Sequence, residues 1–496
     1  MNEQLILLVL AGYFMLLIGV SFLTGRKADN DSFYIGNRNS KWYLVAFGMI
    51  GASLSGVTFM SVPGAVGTGQ LGYFQIVLGY LAGYLVIIQV LLPLYYRLQL
   101  TSIYAYLKER FGDRAHKSGA ALFLLSRILG ASFRLYLVAI VLDAFLLSHF
   151  GFPFWLTVTT TILLIWVYSF KGGIKTIVWT DTLQTACMLL SVIFSVWFIA
   201  GELDLNIWNI GSAVRESGYG KIFVWEWQPA DSFFKYFISG MFITIVMTGL
   251  DQDMMQKNLS CKTLKESQKN MRWMSLSLLP VNLLFLILGA LLYMYGTQNG
   301  WVEPQFDNPE QMNAGCQLLI NGECFKKDAL FAWLSLNAFP AWMGVVFILG
   351  LTAAAYSSAD SALTALTTSF CLDILGKKDR GISTSLRYGV HAGFSILLIA
   401  VILVFKVVSN ESVILELFTV AGYTYGPLLG MFAFGIISSR KVNDWFVPMI
   451  CVVAPLLSYL LNKYDVYLFN GYQFGFELLL VNGLLTYGML YLISKK

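Results

Sequence analysis

Thr352–Ser369 reads TAAAYSSADSALTALTTS, and the fold turns on what this stretch is. It lies in an apolar run long enough to cross a bilayer, yet it carries hydroxyls and one carboxylate. On a helix each residue advances by about 100°. Ser357, Asp360, Ser361 and Thr364 then share one face, continued by Ala353 and Ala354, while Ala355, Ala359, Ala362, Leu363 and Leu366 share the other. An oxygen-rich stripe inside a bilayer is costly unless it faces something that takes oxygen ligands. A hard cation such as sodium meets that need. The competing reading is a seam of small residues joined by serine hydrogen bonds. Asp360 weighs against it, because a buried carboxylate needs a partner.

The rest of the composition fits a membrane setting. Of 496 residues, 57% are hydrophobic and 12% charged, where a soluble domain carries about 25% charge; the mean hydropathy is +0.67. This is a polytopic membrane protein, and its net charge of +5 reflects basic loops rather than nucleic-acid binding. The opening Met-Asn-Glu-Gln is not basic and no small-residue cleavage site follows the first apolar run, which reads as a retained helix.

Thirteen apolar runs have the length of a span: 4–23, 42–67, 73–97, 118–147, 152–170, 176–200, 232–252, 272–296, 341–371, 387–406, 412–438, 443–462 and 473–493. Gly48, Gly51, Gly56, Pro63, Gly64 and Gly67 predict a break in the second. Of the 33 Lys and Arg, 24 fall in one set of alternate loops and the tail, seven in the other, and Arg127 and Arg134 inside the fourth span. Positive charge stays cytoplasmic, so the N-terminus is expected outside and the C-terminus inside a cell (plasma or inner) membrane. The loops 201–231 and 297–340 are then external, and there Cys316 and Cys324 can form a disulfide. The other four cysteines show no metal-ligand spacing. His116, His149 and His391 read as solvated or interfacial.

Asp181 enters from the cytoplasmic face at a depth of roughly 8–10 Å, and Asp360 and Ser361 lie roughly 15 Å from the same face. The two aspartates can therefore share one site. Like charges this close raise one another's pKa unless a cation sits between them. Two further stretches carry polar groups into the bilayer. Gly51-Ala-Ser-Leu-Ser55-Gly-Val-Thr58-Phe-Met-Ser61-Val-Pro63 has a loosened backbone whose freed carbonyls must face a cavity; packing alone is the other reading. Trp179-Thr-Asp181-Thr-Leu-Gln184-Thr185 strings a carboxylate, hydroxyls and an amide along one helix, or forms a structural hydrogen-bond node.

Together these stretches resemble the sodium/solute symporter family. The likeness runs through Ala354-Ala-Tyr-Ser357-Ser358, the 179–185 stretch, Asp31-Ser-Phe-Tyr-Ile-Gly-Asn-Arg38, the run from Thr101 to Gly112 and that from Gly249 to Gln256. It implies an all-α membrane protein with a leucine-transporter-like core of two inverted five-helix repeats. Residues 42–200 and 232–438 would be the repeats, with a peripheral first helix in 1–30 and two C-terminal helices in 443–496. It implies sodium-coupled uptake by alternating access, no organic cofactor, no enzymatic activity, and a monomer as sufficient unit. The main sodium site would use the carbonyls of Gly51, Leu54 and Ala354 and the hydroxyls of Ser357 and Ser358. A second would use Asp181, Ser357, Asp360 and Ser361, although a hydroxyl residue often stands where this chain has Asp360.

For the solute, sugar-transporting members carry glutamine where Thr58 and Thr419 stand. The Leu54–Pro63 run looks instead like that of sialic-acid-transporting members, in which the equivalents of Ser55 and Thr58 hold the substrate carboxylate. Those members add an arginine from the third core helix, at the position Gly130 occupies here, with Arg127 and Arg134 on either side. Met241, Thr244 and Met247, with Thr419 and Tyr423, are expected to line the cavity. The reading is a sodium symporter of an anionic sugar acid such as sialic acid, or of another carboxylate. A sodium/sugar or polyol symporter is the alternative. An intramembrane aspartyl protease built on Asp181 and Asp360 lacks the Tyr-Asp and Gly-x-Gly-Asp contexts of such enzymes, and a passive channel would not accumulate solute. Ser357→Ala, Ser358→Ala and Asp181→Asn are each expected to weaken sodium dependence.

Overall fold

The computed structural model describes residues 3–25, 30–147, 151–170, 172–227, 229, 231–303, 316–376, 382–408, 413–469, 472 and 474–495. His149 and the counted loop charges Arg26, Lys27, Lys171, Lys377, Lys378, Arg380 and Lys496 lie outside the described residues.

The architecture is a bundle of helices: α1 (Glu3–Gly25), α2 (Trp42–Gly69), α3 (Phe74–Arg97), α4 (Asp113–Leu142), α5 (Phe154–Ser169), α6 (Ile174–Glu202), α7 (Phe233–Gly249), α8 (Gln252–Leu259), α9 (Leu264–Gln298), α10 (Ala341–Ser369), α11 (Thr384–Val408), α12 (Val413–Ile437), α13 (Val447–Lys463) and α14 (Leu478–Ile493). Among the described residues ten helices are long and apolar enough to cross a membrane, or eleven when the bent pair α7/α8 counts as one. This differs from the thirteen runs read in the sequence. The helices α5 and α14 have 16 residues each, about 24 Å of rise against a hydrocarbon core of about 30 Å.

Burial sorts the helices. The apolar window of α2 is 89% buried, while those of α11 and α13 are 22% and 28% buried, so the latter turn their Leu, Ile and Val side chains outward. At the centre α2, α6 and α10 pack on one another, with α9 across α2 and α4 beside α10 and α12. Small residues set these distances. A Cβ on Gly48 of α2 would stand 2.8 Å from the Asp181 Cβ, and one on Gly83 of α3 would stand 2.5 Å from the Met241 carbonyl oxygen of α7. Such close backbone approach is how membrane helices gain packing energy without a hydrophobic drive between them.

Two helices are interrupted. In α2 Ser55 adopts φ +51°, ψ 172°, a left-handed φ that breaks the ladder in the glycine-rich stretch where the sequence predicts it. Between α7 and α8 the axis bends by 63°. Asp251 starts α8 as its N-cap, accepting from the backbone N–H groups of Asp253 (2.9 Å) and Met254 (3.3 Å). Beyond the bundle, Val302–Glu303, Leu318–Ile320 and Glu323–Phe325 form an antiparallel sheet. Its Asn321-Gly322 turn has φ +52° and +78°, as a two-residue hairpin demands. Cys316 and Cys324 are bonded across it, and Lys327 Nζ donates to Thr68 Oγ1 (2.8 Å) at the end of α2.

Candidate functional site

The stripe on α10 does not face a solvent channel on one side only. Every residue from Leu351 to Ser369 is buried. Some hydroxyls are satisfied within the helix, as when Thr367 Oγ1 donates to the Leu363 carbonyl (2.7 Å) and Thr368 Oγ1 to that of Thr364 (2.8 Å). Others are not. Thr352 Oγ1, Ser358 Oγ, Asp360 Oδ2, Ser361 Oγ and Thr364 Oγ1 are buried without a hydrogen-bond partner. Buried polar atoms are nearly always paired, and among the described residues these five are not; Ser358, Asp360 and Ser361 lie within one turn of one another, where oxygens are available to a ligand that takes them. The interrupted stretch of α2 lies against them: a Cβ on Gly56 would be 3.6 Å from Ala355 Cα, one residue from Ala354 and two from Ser357.

The helix α6 completes this layer. Thr182 Oγ1 donates to the Leu44 carbonyl (3.3 Å) and Thr185 Oγ1 to that of Gly48 (3.4 Å), tying α6 to the N-terminal half of α2. Asp181 then points at α10, where Ser357 Oγ donates to its Oδ1 at 2.7 Å. Its Oδ2 pairs with Lys257 Nζ of α8 at 2.7 Å, both side chains being 1% exposed. Asp360 lies within electrostatic reach of both Asp181 and Lys257, and its Oδ1 accepts from the Ser361 N–H at 2.6 Å. Asp181, Asp360 and Lys257 are thus near enough to feel one another's charge, with the ammonium bonded to Asp181.

A cavity of about 90 Å³ lies on the other side of the α2 interruption, lined by Ser55, Thr58, Arg127, Arg134, Thr244 and Met247 among others. The two arginines differ in state. Arg127 Nη2 pairs with Asp253 Oδ2, and its Nη1 lies 3.7 Å from Asp251 Oδ2. That same Asp251 oxygen accepts from the Tyr425 hydroxyl at 2.5 Å. Arg134 is 7% exposed, pairs with no carboxylate among the described residues, and has an unpartnered Nε. Gly130 lies between them, lining a smaller adjoining space with both.

Of the expected cavity residues, Ser55, Thr58, Thr244 and Met247 line the cavity and Met241, Thr419 and Tyr423 do not. Met241 is taken up in the α3–α7 seam. Tyr423 turns toward α13 and α14, its hydroxyl accepting from Asn462 (3.2 Å). Tyr423 and Tyr425 are two residues apart and so about 200° apart around the helix; with Val420, Ala421 and Tyr425 on the side of the arginines, Tyr423 turns away from them. Pro427 leaves the Tyr423 carbonyl without its helical donor, and Asn482 Nδ2 donates to that carbonyl and to that of Gly422, both at 3.0 Å. His116 and His391 are buried rather than solvated. His116 Nε2 lies 2.8 Å from Asp373 Oδ1, and His391 Nδ1 lies 2.9 Å from Thr367 Oγ1. Sequence reasoning missed Lys257, Asp251, Asp253 and Tyr425. Asp251 and Asp253 stand in the Gly249–Gln256 run that carries the family likeness, but with no role attached, and the polar density of Asp251–Asn258 reads as loop.

Comparison with known proteins places these features in context. A family model described as the sodium:solute symporter family matches residues 33–444. A sodium/sialic acid symporter of Aliivibrio fischeri is 26% identical over 456 residues, covering 89% of this chain and 84% of that protein. The human sodium-coupled monocarboxylate transporter 1 is 24% identical, covering 84% of this chain and 66% of that protein. In structure, a Na+-coupled sialic acid symporter solved in a substrate-bound, outward-open state superposes with a TM-score of 0.80 at 19% identity, covering 99% of this chain and 98% of the other. At that identity the likeness carries the fold, a leucine-transporter-like helical core.

Proposed function

This chain belongs to the sodium:solute symporter family and is a sodium-coupled secondary transporter, not an enzyme; we propose that its solute is an organic carboxylate held by Arg134. The observation that carries this reading is the contrast between the two arginines. Arg127 has its own carboxylates, whereas Arg134 is buried at the cavity without one among the described residues. An unpaired buried cation is expensive and is retained where a ligand completes the pair. Ser55 and Thr58, on the same cavity, supply hydroxyl donors for carboxylate oxygens. The sialic acid symporter among the relatives supports a sugar acid. A second reading, a short monocarboxylate, is favoured by the cavity volume of about 90 Å³, well below the roughly 300–1,000 Å³ typical for larger ligands, and by the monocarboxylate transporter among them.

Sodium is assigned to the layer beneath. Gly51, Leu54 and Ala354 offer carbonyls where α2 is interrupted against α10, and Ser357 and Ser358 offer hydroxyls, that of Ser358 being an orphan. The basic loops orient the N-terminus outside, in a cell membrane. Sodium between α2 and α10 favours the outward-open form, solute closes the outer side, and inward opening separates the two helices and releases both. Coupling requires only that sodium bind the two forms with different affinity.

The test is uptake into proteoliposomes under an inward sodium gradient, with choline as control, using N-acetylneuraminate, lactate and glucose. The expected result is sodium-driven accumulation of one of the two acids above equilibrium. Accumulation of glucose but neither acid would refute the carboxylate assignment, and equilibration without accumulation would refute coupling.

A further inference from the structure

We infer that Lys257 is a resident cation that holds the second sodium position, so that this chain binds one sodium ion where the four residues Asp181, Ser357, Asp360 and Ser361 would otherwise take a second. The sodium expected there needs Asp181 as its charged ligand. In the structure both oxygens of that carboxylate are engaged: Oδ1 accepts from the Ser357 hydroxyl and Oδ2 forms an ion pair with the ammonium, each at 2.7 Å. Ser357 donates its proton to Asp181 and keeps its lone pairs for the main site, so the two sites do not compete for it.

The ammonium also excludes the ion electrostatically. Two unit positive charges about 4 Å apart at an effective dielectric constant near 20 cost about three orders of magnitude in affinity. Lys257 is no stray side chain. It is 1% exposed and sits on α8, all eight of whose residues are buried. That helix is fixed at several points. Gln252 accepts from the Ile103 N–H (2.9 Å), Gln256 donates to the Tyr34 carbonyl (2.6 Å) and to Thr368 Oγ1 (2.9 Å), and Asp253 holds Arg127. The ammonium is therefore delivered to Asp181 by a helix that also grips the cavity arginine. A tethered cation cannot leave with the solute, so it neutralises Asp181 without adding to the ions carried.

The test counts sodium alone, with no solute, so its outcome is independent of whether the solute is a carboxylate; it rests only on the main sodium site. Equilibrium binding of radioactive sodium to the detergent-purified full-length protein is measured for wild type, Lys257→Gln and Asp181→Asn. The expected counts are one ion for wild type, two for Lys257→Gln, whose freed Asp181 oxygen completes the second site, and one for Asp181→Asn. A wild-type count of two that falls to one in Asp181→Asn overturns the inference. A count that stays at one in a folded Lys257→Gln protein, judged by monodispersity and a sodium-dependent melting shift, also overturns it. Should Lys257→Gln not fold, the wild-type and Asp181→Asn counts still decide.

Discussion

Removing the two buried arginines one at a time should move stability in opposite directions. Among the described residues Arg134 is a nearly fully buried guanidinium without a carboxylate, so Arg134→Gln relieves an uncompensated charge and should stabilise the solute-free protein by about 1–2 kcal/mol. The same change should cost the solute carboxylate a charged hydrogen bond of about 1.5–3 kcal/mol, roughly 10- to 150-fold in Kd. Arg127→Gln does the reverse in the empty protein. It strands Asp253, and Asp251 at 3.7 Å, and removing one partner of a buried pair costs about 3–5 kcal/mol. Thermal unfolding in detergent, with and without the acid identified by uptake, reads both effects. At 100 times its Kd a ligand stabilises wild type by about 2.7 kcal/mol, and a 50-fold weaker site at the same concentration gains only about 0.6 kcal/mol. The double variant Arg127→Gln/Asp253→Asn should recover much of the single loss. If Arg134→Gln melted below wild type when empty and bound the acid with unchanged affinity, Arg134 would be a structural residue and the assignment would fail.

Two further changes test the surrounding layers. Ser358→Ala removes an orphaned hydroxyl at the assigned main sodium site and should raise the sodium concentration for half-maximal uptake by roughly tenfold, one ion–dipole contact of about 1.5 kcal/mol. An unchanged sodium curve would take Ser358 out of the site. Asn482→Leu leaves the Tyr423 carbonyl, which Pro427 cannot bond, without a donor and should destabilise by about 1–3 kcal/mol, read as a lower melting temperature with sodium affinity unchanged.

Much of the fold was legible because the bilayer imposes local rules. A span must be apolar for its whole length, and a glycine- and proline-rich span must break, as α2 does at Ser55. The span count was less legible. The runs 152–170 and 473–493 are apolar for a full span, but their helices α5 and α14 have only 16 residues each, and hydropathy does not register where a helix ends. The side of a helix that meets a cavity was not legible either. Tyr423 and Tyr425 are two residues and so about 200° apart on α12, and only the packing of that helix decides which of the two turns outward to Asn462 and which reaches Asp251.

From the sequence alone come the membrane class, the polar stripe at 352–369, the family, and the similar depths of Asp181 and Asp360, since depth in a bilayer follows from position along a span. Only the tertiary structure decided which charges pair. Lys257 sits 76 residues from Asp181 in a segment that reads as a basic loop, and Arg127 and Arg134 are alike in spacing and type. An ion pair depends on distance in three dimensions and on the exclusion of water, and both were fixed by the burial of α8 between helices remote in the chain.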